Sequence, residues 1–307
     1  MRIISTIIII FCLSCNQPME KKEIMPYIIV LGVAQDAGYP QAGCNKSCCQ
    51  DAWEDPFKRR SVSCLAIVDP ISQEQWIIDA TPDIKFQLQL LEKKSTLNQI
   101  SGVFLTHAHI GHYTGLTNFG REVMGCHKLP VYCMQKMKNF ITNNAPWEQL
   151  VQIGNIDLHL IQDDSVIKLN KRIDITPFLV PHRDEYSETV GYKINSNNKT
   201  LIFIPDINKW KEWNVNIVET IKNVDYAFLD GTFYKDGELK RDMSEIPHPF
   251  VEESMKLFTT LSSDDKQKIH FIHFNHTNPL LQEGSSSQRE VLEKGFNIAK
   301  EGQIIRF

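Results

Sequence analysis

Five apolar segments in this sequence each run into a histidine or an aspartate. The segments have the composition of buried strands, and stretches with helical spacing lie between them. The ends of neighbouring strands meet at one edge of an α/β fold, where residues distant in sequence build a site. A lone histidine is usually a core residue, but this repetition favours ligands. The residues at the segment ends are His107, His182, Asp206, Asp230 and His273.

The densest of these ends is the stretch FLTHAHIGHYTGL, from Phe104 to Leu116. It contains His107, His109 and His112, in a chain that holds only 10 histidines. Residues two apart on a strand end point to the same side, and the third can turn back from the start of a helix. Neutral imidazoles are good ligands for zinc, iron and manganese. The stretch therefore predicts a metal site.

Composition and charge limit the partners of the chain. Hydrophobic residues make up 42% of the sequence and charged residues 23%, as in ordinary globular proteins. The formal net charge is −4, whereas a partner held through its phosphates usually requires a basic face. We therefore expect a small-molecule substrate and no nucleic acid. No linker interrupts the strands and helices after the N-terminal segment, so the sequence predicts one continuous α/β domain.

The N-terminus differs in composition from the rest of the chain. MRIISTIIIIFCLSC contains an apolar stretch from Ile3 to Leu13, which is too short for an ordinary transmembrane helix. Its end resembles a bacterial lipobox, in which Cys15 would be lipidated and become the first residue. We predict a lipoprotein-type signal segment at 1–15, a tether at 16–26, and export with a lipid anchor in the membrane, on the periplasmic side or in the cell envelope. The alternative is a hydrophobic leader with incidental cysteines.

A second concentration of metal-binding side chains lies in the segment GCNKSCC, which contains Cys44, Cys48 and Cys49. Adjacent cysteines rarely bond to each other, and three thiolates in a tight loop suit a structural zinc ion. Disulfides are the alternative, because an exported chain can oxidise its cysteines. A fourth zinc ligand must come from elsewhere in the chain.

The stretch THAHIGHYTGL resembles the His-x-His-x-Asp-His motif of the metallo-β-lactamase superfamily, with Gly111 in the aspartate position. Asp79 resembles the early strand-end acid of that superfamily, and Asp206 resembles its bridging carboxylate. The resemblance extends over residues 27–307 and implies a single-domain αββα metallo-β-lactamase-like sandwich. It also implies one or two zinc ions at an active site, with iron or manganese as alternatives. The implied metal ligands are His107, His109, His112, His182, Asp206 and His273.

Within the superfamily, the chain resembles the PqqB-like group of pyrroloquinoline quinone biosynthesis in the segments VLGVAQDAGYPQAGC, LDGTF, MSEIPHP and IHFNHTNPLL. It is also similar to the PhnP and tRNase Z phosphodiesterases. These families imply that His276 completes the cysteine zinc site. They imply further that His248 is a catalytic proton donor oriented by Asp230. The alternative for His248 is a residue at a helix start without a catalytic role.

Gly111 is the main departure from the superfamily motif. In two-metal members the aspartate at this position helps to hold one metal, so its loss leaves His112, His182 and Asp206 for that ion. Either the second metal binds weakly or the site uses a single metal. We therefore expect Gly111→Asp to hold more metal than the wild type. A glycine here is also compatible with a backbone of positive φ.

The favoured function is a metal-dependent hydrolase of an ester or a phosphodiester, with a metal-activated water. A PqqB-like, iron-dependent oxidative role in or near pyrroloquinoline quinone biosynthesis is the first alternative. A non-catalytic binding protein is the second alternative. The predicted export signal argues against the oxidative role, because that pathway's B protein is expected inside the cell.

The predicted lipid anchor depends on the thiol of Cys15. Cys15→Ser should abolish the lipid modification and release the protein from the membrane fraction, because the group that receives the lipid is gone. Mass spectrometry of the N-terminal peptide and membrane fractionation measure both effects. An unchanged peptide mass together with continued membrane partition would contradict the prediction.

Overall fold

The structure is a computed structural model that describes residues 24–197 and 199–306. The predicted signal segment at 1–15 and most of the predicted tether lie outside these residues. The strands are β1 (Tyr27–Gly32), β2 (Cys64–Asp69), β3 (Glu74–Ile78), β4 (Gly102–Phe104), β5 (Leu129–Cys133), β6 (Ile156–Leu160), β7 (Ile167–Lys168), β8 (Ile173–Leu179), β9 (Val190–Ser196), β10 (Lys199–Ile204), β11 (Tyr226–Asp230), β12 (Ile269–Ile272), β13 (Asn297–Ile298) and β14 (Ile304–Arg306). The helices are α1 (Ser47–Glu54), α2 (Ile84–Ser95), α3 (Ile110–Tyr113), α4 (Gln135–Asn143), α5 (Trp147–Gln152), α6 (Ile217–Lys222), α7 (Val251–Leu257), α8 (Ser263–Gln267) and α9 (Ser286–Glu293).

The strands form two sheets that pack against each other. One sheet has the order β14-β1-β2-β3-β4-β5-β6 and the other has the order β13-β12-β11-β10-β9-β8-β7. The first half of the chain therefore builds one sheet, which the last strand completes, and the second half builds the other. Helices cover the outer faces. The predicted single-domain αββα sandwich is confirmed.

Alternation along β1 shows how this strand is buried on both of its faces. Ile28 and Val30 belong to the core cluster between the two sheets. Ile29 and Leu31 point the other way, into a second cluster that includes Leu91 of α2. Successive side chains of a strand alternate between its faces, so an unbroken apolar run is suited to burial on both. Each fully buried side chain of this type stabilises the fold by about 1.5–3 kcal/mol.

The strands that lead to the site all run in the same direction. In the first sheet, β1 and β3 are both antiparallel to β2, and β4 is parallel to β3. In the second sheet, β8 and β10 are both antiparallel to β9, and β10, β11 and β12 are parallel. A parallel bridge between Ala34 and Phe274 joins the two sheets just beyond β1 and β12. The carboxyl ends of these strands therefore meet at one edge of the sandwich, as the sequence predicted.

Within residues 24–197 and 199–306, every helix is too short or too polar to cross a membrane. The predicted lipid anchor at Cys15 falls outside that part of the chain, so it stays a prediction.

Candidate metal centre

A first set of metal-binding donors lies where β4, β8 and β10 end. Asp206 Oδ2 lies 3.3 Å from His107 Nε2, 3.2 Å from His182 Nε2 and 3.9 Å from His109 Nδ1. His109 Nδ1 and His182 Nε2 are themselves 3.3 Å apart. One donor atom from each of the four side chains lies within 4.8 Å of the others, so together they can hold one metal ion.

A second donor set shares the same carboxylate. It consists of Asp36, His112, Asp206 and His273, again with one donor atom from each within 4.8 Å of the others. Asp36 Oδ1 lies 3.2 Å from His112 Nε2 and 3.5 Å from His273 Nε2. His273 Nε2 is 4.0 Å from Asp206 Oδ2. Asp206 therefore lies between two potential metal positions, as expected for a bridging ligand.

His182 belongs to the first set and not to the second, so its predicted grouping with His112 is wrong. The physical reason is the position of β8, whose end delivers His182 beside His109. The side chain opposite His112 is Asp36, at 3.2 Å. Sequence reasoning missed Asp36, although the residue follows the apolar strand β1 in the segment VAQDAGYP and obeys the same strand-end pattern as the other site residues.

The donor atoms fit a metal because most of them lack any other partner. Among the described residues, the buried atoms without a hydrogen-bond partner include His107 Nε2, His112 Nε2, His273 Nε2, Asp36 Oδ1 and Asp206 Oδ1. A buried polar atom left unpaired costs about 1–3 kcal/mol. Their convergence on two small volumes is therefore unfavourable unless a cation coordinates them, and imidazole with carboxylate is a donor set suited to zinc, iron or manganese.

The other nitrogen of each histidine is fixed from outside the centre. His112 Nδ1 donates to Asp79 Oδ2 at 2.7 Å. Thr106 Oγ1 donates to Asp79 and lies 3.0 Å from His107 Nδ1, from which it accepts. These bonds place the protons on Nδ1 and leave both Nε2 lone pairs directed at the metal positions, as outer hydrogen bonds do in metal sites. The predicted strand-end acid Asp79 thus orients ligands.

The second sheet repeats this arrangement with Asp230 and Thr232. Thr232 Oγ1 donates to Asp230 Oδ1 at 2.7 Å and accepts from His273 Nδ1 at 2.9 Å. His248 Nδ1 donates to Asp230 Oδ2 at 2.8 Å and lies 3.2 Å from Asp206 Oδ1. The structure therefore brings the predicted pair His248 and Asp230 together, directly beside the bridging carboxylate.

Charge at the centre is distributed between buried carboxylates and imidazoles. Burial opposes ionisation of Asp206, yet the imidazoles of His182, His248 and His273 hold its pKa well below the usual value. Burial likewise disfavours a charged His112, but the carboxylates of Asp79 and Asp36 raise its pKa well above the usual value. Burial and the neighbouring His112 hold the pKa of His107 low. The buried carboxylates therefore favour positive charge here, which a metal cation supplies.

Two site residues have a backbone conformation that residues other than glycine rarely adopt. Asp79 has φ 72° and His273 has φ 68°. Such left-handed positions are sterically unfavourable and persist where the surrounding structure enforces them, often at functional sites. Each of the two residues follows directly after a strand, and the sharp turn directs Asp79 toward the His112 ring that it orients and His273 into the centre.

The structure gives a reason for glycine at position 111 that differs from the positive φ suggested by the sequence. The φ of Gly111 is not in the positive range, and a Cβ atom at this position would lie 2.5 Å from Asp36 Cα and 2.6 Å from Asp36 Oδ1. Real Cβ atoms do not approach other atoms so closely. The space beside Gly111 is therefore filled by Asp36, which removes the vacant position on which the expected gain of metal in Gly111→Asp depends.

The cysteine segment and His276 form a cluster separate from the two donor sets. Cys49 Sγ lies 3.3 Å from His276 Nδ1, Cys48 Sγ lies 3.8 Å from the same atom, and the sulfurs of Cys44 and Cys48 are 3.8 Å apart. Tetrahedral zinc with bonds of about 2.3 Å places sulfurs roughly 3.8 Å apart. All three cysteines are free thiols. The four side chains predicted for a structural zinc site therefore converge with suitable spacing.

The family model of the beta-lactamase superfamily domain matches residues 75–274. The chain belongs to the beta-lactamase superfamily. Its matched region runs from β3 to the residue after His273, and so includes the donors at the ends of β4, β8, β10 and β12.

Individual relatives place the chain near the PqqB-like group. Coenzyme PQQ synthesis protein B of Acinetobacter baumannii is 26% identical over 309 residues, which cover 91% of this chain and 99% of that protein. The corresponding protein of Pseudomonas putida is 28% identical over 313 residues, covering 91% of this chain and 99% of that protein.

Solved structures with the same fold include Zn²⁺-bound PqqB from Methylobacterium extorquens, at TM-score 0.77 and 22% identity, covering 92% of this chain and 100% of that one. A diphosphatase of the PhnP family has TM-score 0.64 and 20% identity, covering 92% of this chain and 97% of that one. Human tRNase Z, short form, has TM-score 0.56 and 15% identity, covering 91% of this chain and 98% of that one. The predicted resemblances are confirmed.

The cysteine cluster, if it holds zinc, contributes directly to folding. Cys49→Ser should remove one zinc ion per chain and destabilise the protein by several kcal/mol, because structural zinc supplies folding free energy. Elemental analysis and thermal unfolding measure the two effects. Cys126→Ser, which changes a thiol outside the cluster, is the control and should keep its zinc. An unchanged zinc content and Tm in Cys49→Ser would exclude a zinc site.

Proposed function

We propose that the chain is a metal-dependent hydrolase of an ester or a phosphodiester, PqqB-like in sequence. The observation that carries this proposal is the position of Asp206, between two donor sets and within 3.2 Å of His248 Nδ1. Metal positions and a proton-bearing imidazole thus share one carboxylate. This combination provides both the activation of a nucleophile and the protonation of a leaving group.

The residues that would hold the metals are those of the two donor sets. Zinc is the proposed metal, with iron or manganese suited to the same nitrogen and oxygen donors. A bound metal ion of this kind lowers the pKa of a coordinated water toward about 7 and polarises the bond to be broken. His109 and Asp36 are the partly exposed donors, with 14% and 23% of their side-chain surfaces accessible. A substrate would therefore approach from their side.

His248 is the proposed proton donor. Burial disfavours its charged form, but the carboxylates of Asp230 and Asp206 raise the pKa of His248 to about 9. In the metal-free centre these carboxylates therefore favour the protonated imidazole at neutral pH. Its Nδ1 is held by Asp230 at 2.8 Å, and no hydrogen bond engages its Nε2 within the described residues. Nε2–H is thus free to donate to a leaving-group oxygen, and Asp230 acts as the positioning residue.

The segment that carries His248 is irregular but anchored. Phe233, Met243, Ile246 and Phe250 form a small buried cluster around it, and the ring of Phe233 meets the imidazole edge-on at 6.1 Å between centroids. These contacts limit the freedom of the imidazole, so the orientation set by Asp230 is maintained without a regular element. Preorganisation of this kind is what a proton donor requires.

A second candidate function is a PqqB-like oxidative role with iron in the same ligands. Its support is the similarity over 91% of the chain to the coenzyme PQQ synthesis protein B of two bacteria. Oxygen uptake that depends on iron, in the absence of any hydrolysis, would favour this function over the hydrolase.

We further propose that the protein is exported and held at a membrane through a lipid on Cys15. The support is the leader sequence followed by a polar tether. The catalytic domain would then face a compartment outside the cytoplasm, which agrees better with a hydrolase than with an intracellular biosynthetic step.

Activity assays of the metal-loaded protein test the hydrolase proposal directly. The full chain should hydrolyse members of a panel of nitrophenyl esters and phosphodiesters, lose that activity on chelation and regain it with zinc or manganese. Asp206→Ala should abolish activity, since both donor sets lose their shared carboxylate. A metal-replete protein that cleaves nothing in the panel would contradict the proposal.

The role of His248 is tested by the leaving group. His248→Gln should slow hydrolysis of substrates with poorly acidic alcohol leaving groups by about 10²–10⁴-fold, the usual contribution of a general acid. Nitrophenolate needs no proton, so nitrophenyl substrates should be affected much less. His159→Gln alters a half-exposed histidine far from the centre and is the control. Equal losses for both leaving groups would assign His248 a role other than proton donation.

A further inference from the structure

We infer that Asp36 is a metal ligand that replaces the aspartate missing from the HAHIGH segment, so the second subsite is complete in this chain. The assignment rests on the proposed metal centre and deepens it. It states that this superfamily member keeps the charge and number of its ligands while taking one of them from a loop 75 positions earlier in the sequence.

The first support for this exchange is the lack of space beside residue 111. A side chain at residue 111 would begin 2.5 Å from Asp36 Cα, 2.9 Å from Asp36 Cβ and 2.6 Å from Asp36 Oδ1. The carboxylate of Asp36 therefore occupies the volume into which an aspartate at 111 would project. The two positions cannot both carry a side chain in this backbone. Glycine at 111 is the residue that admits Asp36.

The directions of the donor atoms are the second support. Asp36 Oδ1 faces His112 Nε2 at 3.2 Å and His273 Nε2 at 3.5 Å. All three atoms are buried and lack a hydrogen-bond partner within the described residues. Each imidazole donates through its other nitrogen, since His112 Nδ1 is bound to Asp79 and His273 Nδ1 to Thr232. The three free atoms therefore aim at one point.

The loop that carries Asp36 is fixed from both sides, as a ligand-bearing loop must be. Gln35 N donates to Phe274 O at 2.8 Å, and Phe274 N donates to Val33 O at 2.8 Å. Gly38 N then closes a turn on Gln35 O at 2.8 Å. These bonds tie Asp36 to the backbone beside His273, so two of the four donors of the second set, Asp36 and His273, share one rigid unit that spans the two sheets.

The fourth support is the negative charge of the second donor set. With Asp36, the second set contains two carboxylates and two imidazoles. Without it, one carboxylate would remain, and that one is shared with the first set. A divalent ion in a buried site is held most firmly where anionic ligands balance its charge. Asp36 supplies the charge that Gly111 removes.

Metal content tests the assignment. Zinc per chain would be measured by elemental analysis after dialysis against buffered zinc, together with the rise in Tm that zinc produces. Changes in residues that merely orient metal ligands cost about 10–100-fold in affinity, so Asp36→Asn and Asp36→Ala should weaken the second ion by about 100-fold or more. Both variants should hold one zinc fewer per chain than wild type and show a smaller zinc-induced rise in Tm.

Matched variants separate ligation from support of the fold. Asp157→Asn makes the same change at a surface contact, where Asp157 Oδ2 lies 3.3 Å from His159 Nε2, and should keep the full metal content. Gly111→Ala should also lose the second ion, because its methyl group displaces Asp36. Gly111→Asp should bind no more zinc than wild type.

Full metal content in both Asp36 variants would overturn the assignment, and so would a gain of zinc in Gly111→Asp. If the Asp36 variants bind as much zinc as the wild type and only the Tm of their metal-free forms is lower, Asp36 supports the fold and is not a ligand. These readouts need no substrate. A wild type that binds both ions but hydrolyses nothing would therefore refute the hydrolase proposal and leave the ligand assignment intact.

Discussion

The carboxylate of Asp206 is the group around which the centre is built. Its Oδ2 lies within 4.0 Å of ring nitrogens from both donor sets, and its Oδ1 lies 3.2 Å from His248. Burial alone would favour the protonated acid, but the surrounding imidazoles hold its pKa well below the usual value. A buried carboxylate that its neighbours keep ionised attracts divalent cations strongly, and Asp206 connects both proposed metal positions to the proposed proton donor.

The two sheets support this bridge with matching hydrogen-bond networks. In the first sheet Asp79 and Thr106 orient His107 and His112, and in the second sheet Asp230 and Thr232 orient His248 and His273. Each network consists of a strand-end aspartate and a threonine hydroxyl that donates to the acid and accepts from an imidazole. Because each hydroxyl fixes a tautomer, both sheets present lone pairs to the same interior. The same hydrogen-bond network of aspartate, threonine and imidazole therefore lies on both sides of the bridging carboxylate.

Much of this arrangement could be predicted from the sequence because it depends on local patterns. Apolar strands that end in His107, His182, Asp206, Asp230 and His273 do meet at one edge, since all of these strands run in the same direction. The contribution of Asp36 could not be predicted in that way. It depends on the parallel bridge between Ala34 and Phe274, which joins segments 240 residues apart. The wrong grouping of His182 has the same origin, since only sheet pairing shows which strand end lies beside His109.

The proposed centre has two metal positions that flank Asp206, and Asp36 is a ligand of one of them. Anomalous diffraction from zinc-soaked crystals, measured on both sides of the zinc absorption edge, would locate both ions. We expect two peaks at the centre, one within the set of His107, His109 and His182 and the other in contact with Asp36, His112 and His273. A single peak, or a second peak with Asp36 turned away from it, would contradict this arrangement.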